Sequence, residues 1–131
     1  LVDALVYNVF PNFAPWGGYM PNVVYRWLPG KTPDTCIMEV RILARGKKGE
    51  PIPRGVPRNT LRLDQKWTEA AELGGLGAVF EQDMDNLPFV QEGLHASISG
   101  KVHLANYQEI RLRQFHRTLD KYISGELGAR P

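Results

Sequence analysis

A second cysteine is missing from this sequence. Cys36 stands alone, so no internal disulfide is possible and a reducing compartment is the better fit. Missing too is any apolar run near the ~20 residues that span a bilayer, and no signal-peptide pattern is present. A cytoplasmic protein without membrane partners is therefore expected. Charge of one sign is scarce: a formal net charge of +2 is too small to argue for nucleic acid. What remains is ordinary for a soluble globular domain, with 43% apolar and 23% charged residues. The 131 residues suit one domain with a real core. Because the first residue is Leu1 rather than Met, inside what reads as a structured segment, a fragment lacking an N-terminal region is expected.

The first part of the chain alternates as strands do. Over residues 22–28, Val23, Tyr25 and Trp27 take one side, and Val24, Arg26 and Leu28 the other. Pro29-Gly30 stops the run and Pro33-Asp34 sits in the turn. From Thr35 the alternation resumes. Cys36, Met38, Val40 and Ile42 form one face, with Cys36 as a small core residue, while Glu39 and Arg41 face the other way. The connection 28–35 is short enough for a hairpin. Residues 7–13 are expected to be extended as well, ending at or just after Pro11. Between 46 and 62, Pro51, Pro53 and Pro57 exclude a helix or a central strand. The Arg54, Arg58 and Arg62 among them fit a solvated loop better than a contact with an acidic surface.

The last part is helical. Asn106 followed by Glu109 has the spacing of a capping box. Leu112, Phe115, Leu119, Tyr122 and Ile123 then recur at three- and four-residue steps as one apolar stripe, with Gly125 and Gly128 as stop signals. A shorter helix is expected over roughly 76–94, broken near 86–88 because Pro88 cannot donate to the carbonyl of Met84. Strands followed by helices, rather than alternating with them, argue an α+β fold.

That earlier helix holds the residues with chemistry in them. At helical spacing Phe80, Asp83, Leu87, Val90, Gln91 and Leu94 share one side, with Glu81, Asp85 and Glu92 opposite. Of the acids at 81, 83 and 85, only Asp83 is then expected to point inward. A buried carboxylate needs a cation, a set of donors or a metal. Spacing alone favours the first two, since structural networks commonly hold buried acids.

Three ordered blocks resemble Rieske-type aromatic-ring-hydroxylating oxygenase α-subunits. Phe80-Glu81-Gln82-Asp83-Met84-Asp85-Asn86, then Gln91-Glu92-Gly93-Leu94, is similar to the helix that carries their carboxylate ligand. Tyr107-Gln108-Glu109-Ile110-Arg111, continuing through Phe115 to Tyr122, is similar to their C-terminal helix. Asn8-Val9-Phe10-Pro11-Asn12-Phe13 resembles one of their strand motifs.

The resemblance implies that residues 1–131 are the C-terminal part of the catalytic domain, a helix-grip (START/Bet v 1-like) fragment with an antiparallel sheet packed on a long C-terminal helix. It implies a mononuclear non-haem Fe(II) bound by two His and one carboxylate, with positions left for O₂. Aligned through the motif's Asn and Gln, the carboxylate is Asp83. Phe80 and Leu87 become candidates for the substrate wall, although core packing accounts for them equally well. A ferredoxin or reductase would deliver electrons through a Rieske [2Fe–2S] cluster, and the intact protein would form a trimer.

The sequence departs from the family pattern in two places. No His precedes His95, so the two His ligands are absent from this chain, and a single cysteine cannot supply the Cys/His pairs of the cluster. The Rieske domain is therefore expected outside these residues, and the fragment alone is expected to be inactive. His95 lies twelve residues from Asp83, which is roughly 18 Å along a continuous helix. His95, His103 and His116 are assigned no metal. The rival reading is a non-catalytic helix-grip module binding an apolar ligand. A third, a plain interaction domain, relies on Trp16, Tyr19 and Trp27 as exposed aromatics.

Overall fold

The computed structural model describes residues 4–18, 22–44, 46–52 and 54–127. The fold is α+β, and the chain divides into two compact units: Leu1–Arg41 with Lys101–Pro131, and Ile42–Gly100.

The first unit is built on an antiparallel sheet in the order β1 (Ala4–Val6), β2 (Phe13–Gly18), β3 (Asn22–Pro29) and β4 (Cys36–Leu43, to Arg41 in this unit). Register is set by Ala4↔Gly18 between β1 and β2, and by Phe13↔Arg26 between β2 and β3. The β3–β4 hairpin closes as expected, with the Gly30 N–H donating to the Thr35 carbonyl at 2.9 Å. Arg26 on β3 pairs with Glu39 on β4 at 2.6 Å. Val23 and Ala14 are buried. Trp16, Tyr25 and Trp27 form an edge-to-face row with centroids 5.9 and 5.4 Å apart.

Two strand expectations need correction. Residues 7–13 do not run on as one extended segment. Val9 and Phe13 exchange backbone hydrogen bonds of 2.8 and 3.0 Å around a turn containing the cis Phe10–Pro11 bond. Pro11 has no N–H to give to a ladder, and the Asn12 amide donates to the Trp27 carbonyl at 2.8 Å. Cys36 is exposed rather than part of the core. It is the first residue of the terminal strand in the sheet, beside the hairpin turn.

Helix α1 (Leu76–Met84) and helix α2 (Leu87–Ala96) belong to the second unit, and α3 (Ile110–Ile123) to the first. On α3, Phe115 and Leu119 are half-buried, and Phe10 stacks on Tyr122 at 5.0 Å and tilts against Phe115 at 5.5 Å. Two members of the expected stripe, Phe115 and Tyr122, thus meet the β1–β2 connection at Phe10, while Leu112 and Ile123 stay exposed. The cap differs. Asn106 does not cap the helix, because Arg113 one turn in takes its side-chain oxygen at 3.0 Å. Glu109 stands at the N-cap, and its carboxylate accepts the Ala105 N–H. Gly125, at φ +77°, ends the helix in a conformation that favours glycine. Gly128 and Tyr19 lie outside the described residues.

In the second unit two 3₁₀ turns, Trp67–Glu69 and Ala71–Leu73, lead into α1. The break between α1 and α2 falls at Asp85–Asn86, as Pro88 requires. Pro88 sits in the first turn of α2, where an absent N–H breaks no helical bond. Ala70 and Phe80 are buried, while Phe89 (71%) and Val90 (56%) on α2 stay exposed. Among the described residues no helix is long and apolar enough to cross a membrane.

Candidate functional site

Helix α1 is positioned chiefly by one short element, the turn Trp67–Glu69. That turn is itself stiffened by Glu69, which accepts the Lys66 N–H at 2.9 Å and the Gln65 amide at 3.0 Å. The Lys66 bond, then the Gln65 bond, hold the Glu69 carboxyl below its ordinary range. Gly77 comes so close that a Cβ there would stand 3.0 Å from the Trp67 carbonyl oxygen. One turn on, the Phe80 ring packs on Trp67 with centroids 5.4 Å apart and is 3% exposed. Glu81 completes the contact. Its carboxylate accepts the Thr68 hydroxyl at 3.0 Å and backbone N–H at 3.4 Å, and lies 3.4 Å from the Lys66 ammonium. The Thr68 hydroxyl is the main reason that the Glu81 carboxyl is held below its usual range, with Lys66 adding to it.

The inward face of α1 is therefore Gly77, Phe80, Glu81 and the half-buried Met84. This corrects the expected face. Glu81 turns in, and Asp83 is exposed. At ~100° per residue Asp83 stands roughly 110° around from the middle of that stripe. Measured from Phe80 alone Asp83 is only about 60° away, but packing centres the face on Gly77, which a hydrophobic pattern cannot see. Asp85 is exposed as well, and its backbone N–H donates to the Glu81 carbonyl at 3.1 Å, closing the helix. Neither the Asp83 nor the Asp85 carboxylate has a hydrogen bond or ion pair among the described residues. Both keep their full acceptor capacity.

Phe80 is in the core of this unit, and Leu87, at the start of α2, is 49% exposed. Gln91 and His95, four apart on α2, are joined at 3.1 Å between the Gln91 amide and a ring nitrogen. In the first unit His103 and His116 line an open hollow of about 390 Å³ with Arg113, Arg117 and Asp120. A second hollow in that unit, about 510 Å³, is walled by Leu5, Tyr7, Phe10 and Phe115. Neither hollow includes Phe80, Asp83 or Leu87. Trp16 and Trp27 are half-buried in the sheet's aromatic row, which weakens the reading of them as a free interaction surface.

Among the described residues no three His, Cys, Asp or Glu side chains come together to hold one metal ion. Asp83 has the right chemistry for one position of an iron site, an exposed carboxylate on a held helix. The described residues bring no second or third ligand to it. The engaged acid of the run, Glu81, is the feature that spacing did not reveal. Its partner Thr68 is thirteen residues upstream, and no periodicity links the two.

Residues 1–125 match the family model described as the ring hydroxylating alpha subunit (catalytic domain). No curated protein and no solved structure matches the chain significantly.

Proposed function

Because the chain belongs to the family of ring-hydroxylating alpha-subunit catalytic domains, we propose that Asp83 is the carboxylate ligand of a mononuclear Fe(II) in an enzyme that hydroxylates an aromatic or related apolar substrate with O₂. Membership makes the chain part of a hydroxylating oxygenase with iron-dependent catalysis. The observation that carries the finer reading is Asp83 itself. The resemblance of residues 80–94 to the ligand-bearing helix points to it, it lies within the matched residues, and its carboxylate is exposed and unengaged among the described residues.

The bound iron would supply O₂ activation. The chain's own contribution is positional: α1 presents one carboxylate for one coordination site, Leu87 offers an apolar wall, and Phe80 backs the helix from the core. Two His ligands and the Rieske [2Fe–2S] cluster would lie in other segments, making residues 1–131 the C-terminal part of the catalytic domain. The exposed apolar side chains of α2, Phe89 and Val90, support that reading, since such patches usually meet another surface. A ferredoxin or reductase would donate electrons, the working assembly would be a trimer, and the compartment the cytoplasm. The non-catalytic binding module shares the fold but gains nothing from the family match.

In the intact oxygenase, Asp83→Ala should abolish hydroxylation and deplete mononuclear iron while the Rieske absorption spectrum persists. Normal iron content in a folded Asp83→Ala enzyme would overturn the assignment. The 131-residue chain alone should purify iron-poor and inactive, because one carboxylate without its imidazoles is a weak site. Stoichiometric iron by elemental analysis would contradict that expectation.

A further inference from the structure

We propose that Glu81 is a positioning residue for the metal site: through Thr68 and Lys66 it fixes the roll of α1, and so the direction in which Asp83 presents its carboxylate. The inference rests on Asp83 being the ligand.

Three contacts join α1 to the segment 66–69, and they do different things. The close approach of Gly77 to Trp67 sets how near the helix lies. The Phe80–Trp67 ring contact supplies apolar attraction, which is non-directional and allows a helix to roll. Of these three contacts, among the described residues, Glu81 makes the directional bonds. Its carboxylate meets two donors on Thr68 at 3.0 and 3.4 Å and the Lys66 ammonium at 3.4 Å. Its side chain is 22% exposed, against 72% for Lys66, so it is the more enclosed end of the pair. The Glu81 backbone also acts, since its carbonyl takes the Asp85 N–H at 3.1 Å. Asp83 thus stands between two bonded points, one on the side chain of Glu81 and one closing the helix behind it.

The lever arm is large enough to matter. A roll of about 20° carries a side chain about 5–6 Å from the helix axis through about 2 Å. Functional constellations need placement within about 0.5 Å. Apolar packing through Phe80 alone tolerates a roll of that size, whereas hydrogen bonds near 3 Å do not. Asp83 has no bond of its own among the described residues to correct the error. A role confined to stability would leave metal affinity untouched once the helix is folded. A positioning role would not.

The test uses the intact oxygenase with Glu81→Met, Thr68→Val and Asp83→Asn, each stripped of mononuclear iron and titrated with Fe(II) against a chelator. Thermal midpoint is followed alongside, and near-infrared magnetic circular dichroism reports the ferrous geometry. Glu81→Met and Thr68→Val should each weaken Fe(II) about tenfold, at the lower end of outer-shell effects. Both should alter the ferrous spectrum while the Thr68→Val midpoint stays within a few degrees of wild type. Thr68→Val removes one hydroxyl and decides the matter if Glu81→Met does not fold. Wild-type affinity and spectrum in Thr68→Val and in folded Glu81→Met, with iron lost in Asp83→Asn, would overturn the role of Glu81 alone. Wild-type affinity in Asp83→Asn would overturn the ligand assignment, and the role of Glu81 with it.

Discussion

The two units are held together by different means. In the first, neighbouring strands pair through their backbones, and Phe10 ties α3 to the β1–β2 connection through two ring contacts. In the second, no sheet ladder exists among residues 46–52 and 54–100, and α1 depends on side chains gathered around Trp67 and Thr68. A backbone ladder spreads its stability over many groups, so losing one side chain leaves most of it standing. A helix seated on one aromatic, one glycine and one carboxylate concentrates its stability. The element that carries Asp83 is therefore open to single substitutions, and its direction is one that a few contacts can set.

Substitutions that hit one unit and spare the other test this contrast. The largest effect is expected from Phe80→Ala, about 3–5 kcal/mol for a buried aromatic. Hydrogen exchange on the 131-residue chain should show α1 and α2 amides losing protection while β2 and β3 amides keep theirs. An equal loss in both units would merge them into one cooperative structure. Gly77→Val forces a Cβ against the Trp67 carbonyl and should cost about 1–3 kcal/mol, as overpacked sites do, again read in α1. Val23→Ala is the mirror experiment. Removing two methyl-sized groups from a fully buried site should cost about 2 kcal/mol, and the protection lost should be that of β2 and β3.

Acid sharpens the contrast further. The Glu81 and Glu69 carboxyls are both held below their ordinary value of 4.5 in the folded chain. Their stabilisation is complete above that value and is lost as pH falls through the lowered folded values, because the unfolded chain then binds more protons. Thermal melts between about pH 3 and 6 should show α1 losing stability toward the acid end. Glu81→Gln should flatten part of that slope. An unchanged slope would mean that the Thr68 and Lys66 contacts do not hold the carboxylate in solution. The smallest stability effect belongs to Asp83→Asn, an exposed site expected within about 0.5 kcal/mol of wild type.

Much of the architecture was legible because it follows from local chemistry. The Pro29-Gly30 stop, the alternation of 22–28 and the three- and four-residue stripe of α3 each depend on residues within a turn or two. Pro88 marked the α1–α2 break for the same reason. What stayed hidden depended on distant partners. Asn106 has the chemistry of a cap, but Arg113 competes for it. Cys36 alternates like a core residue, yet stands at the start of the sheet's terminal strand. The face of α1 was not legible because Gly77 counts as a blank in a hydrophobic pattern, while in the fold it marks the closest approach. The family was legible in the 80–94 block, and the ligand assignment came from that motif. Asp83 is exposed, so burial lends that assignment no support. Asp83 now depends on motif position and on its unengaged carboxylate.

Asp85 shares the second of those properties but not the first, which makes the pair the most direct test. Mononuclear iron should be measured by elemental analysis in intact oxygenase carrying Asp83→Asn or Asp85→Asn, with Rieske iron counted separately from its spectrum. Loss of mononuclear iron in Asp83→Asn, with near wild-type occupancy in Asp85→Asn, is the predicted result. Full occupancy in Asp83→Asn, or loss in Asp85→Asn alone, would contradict it.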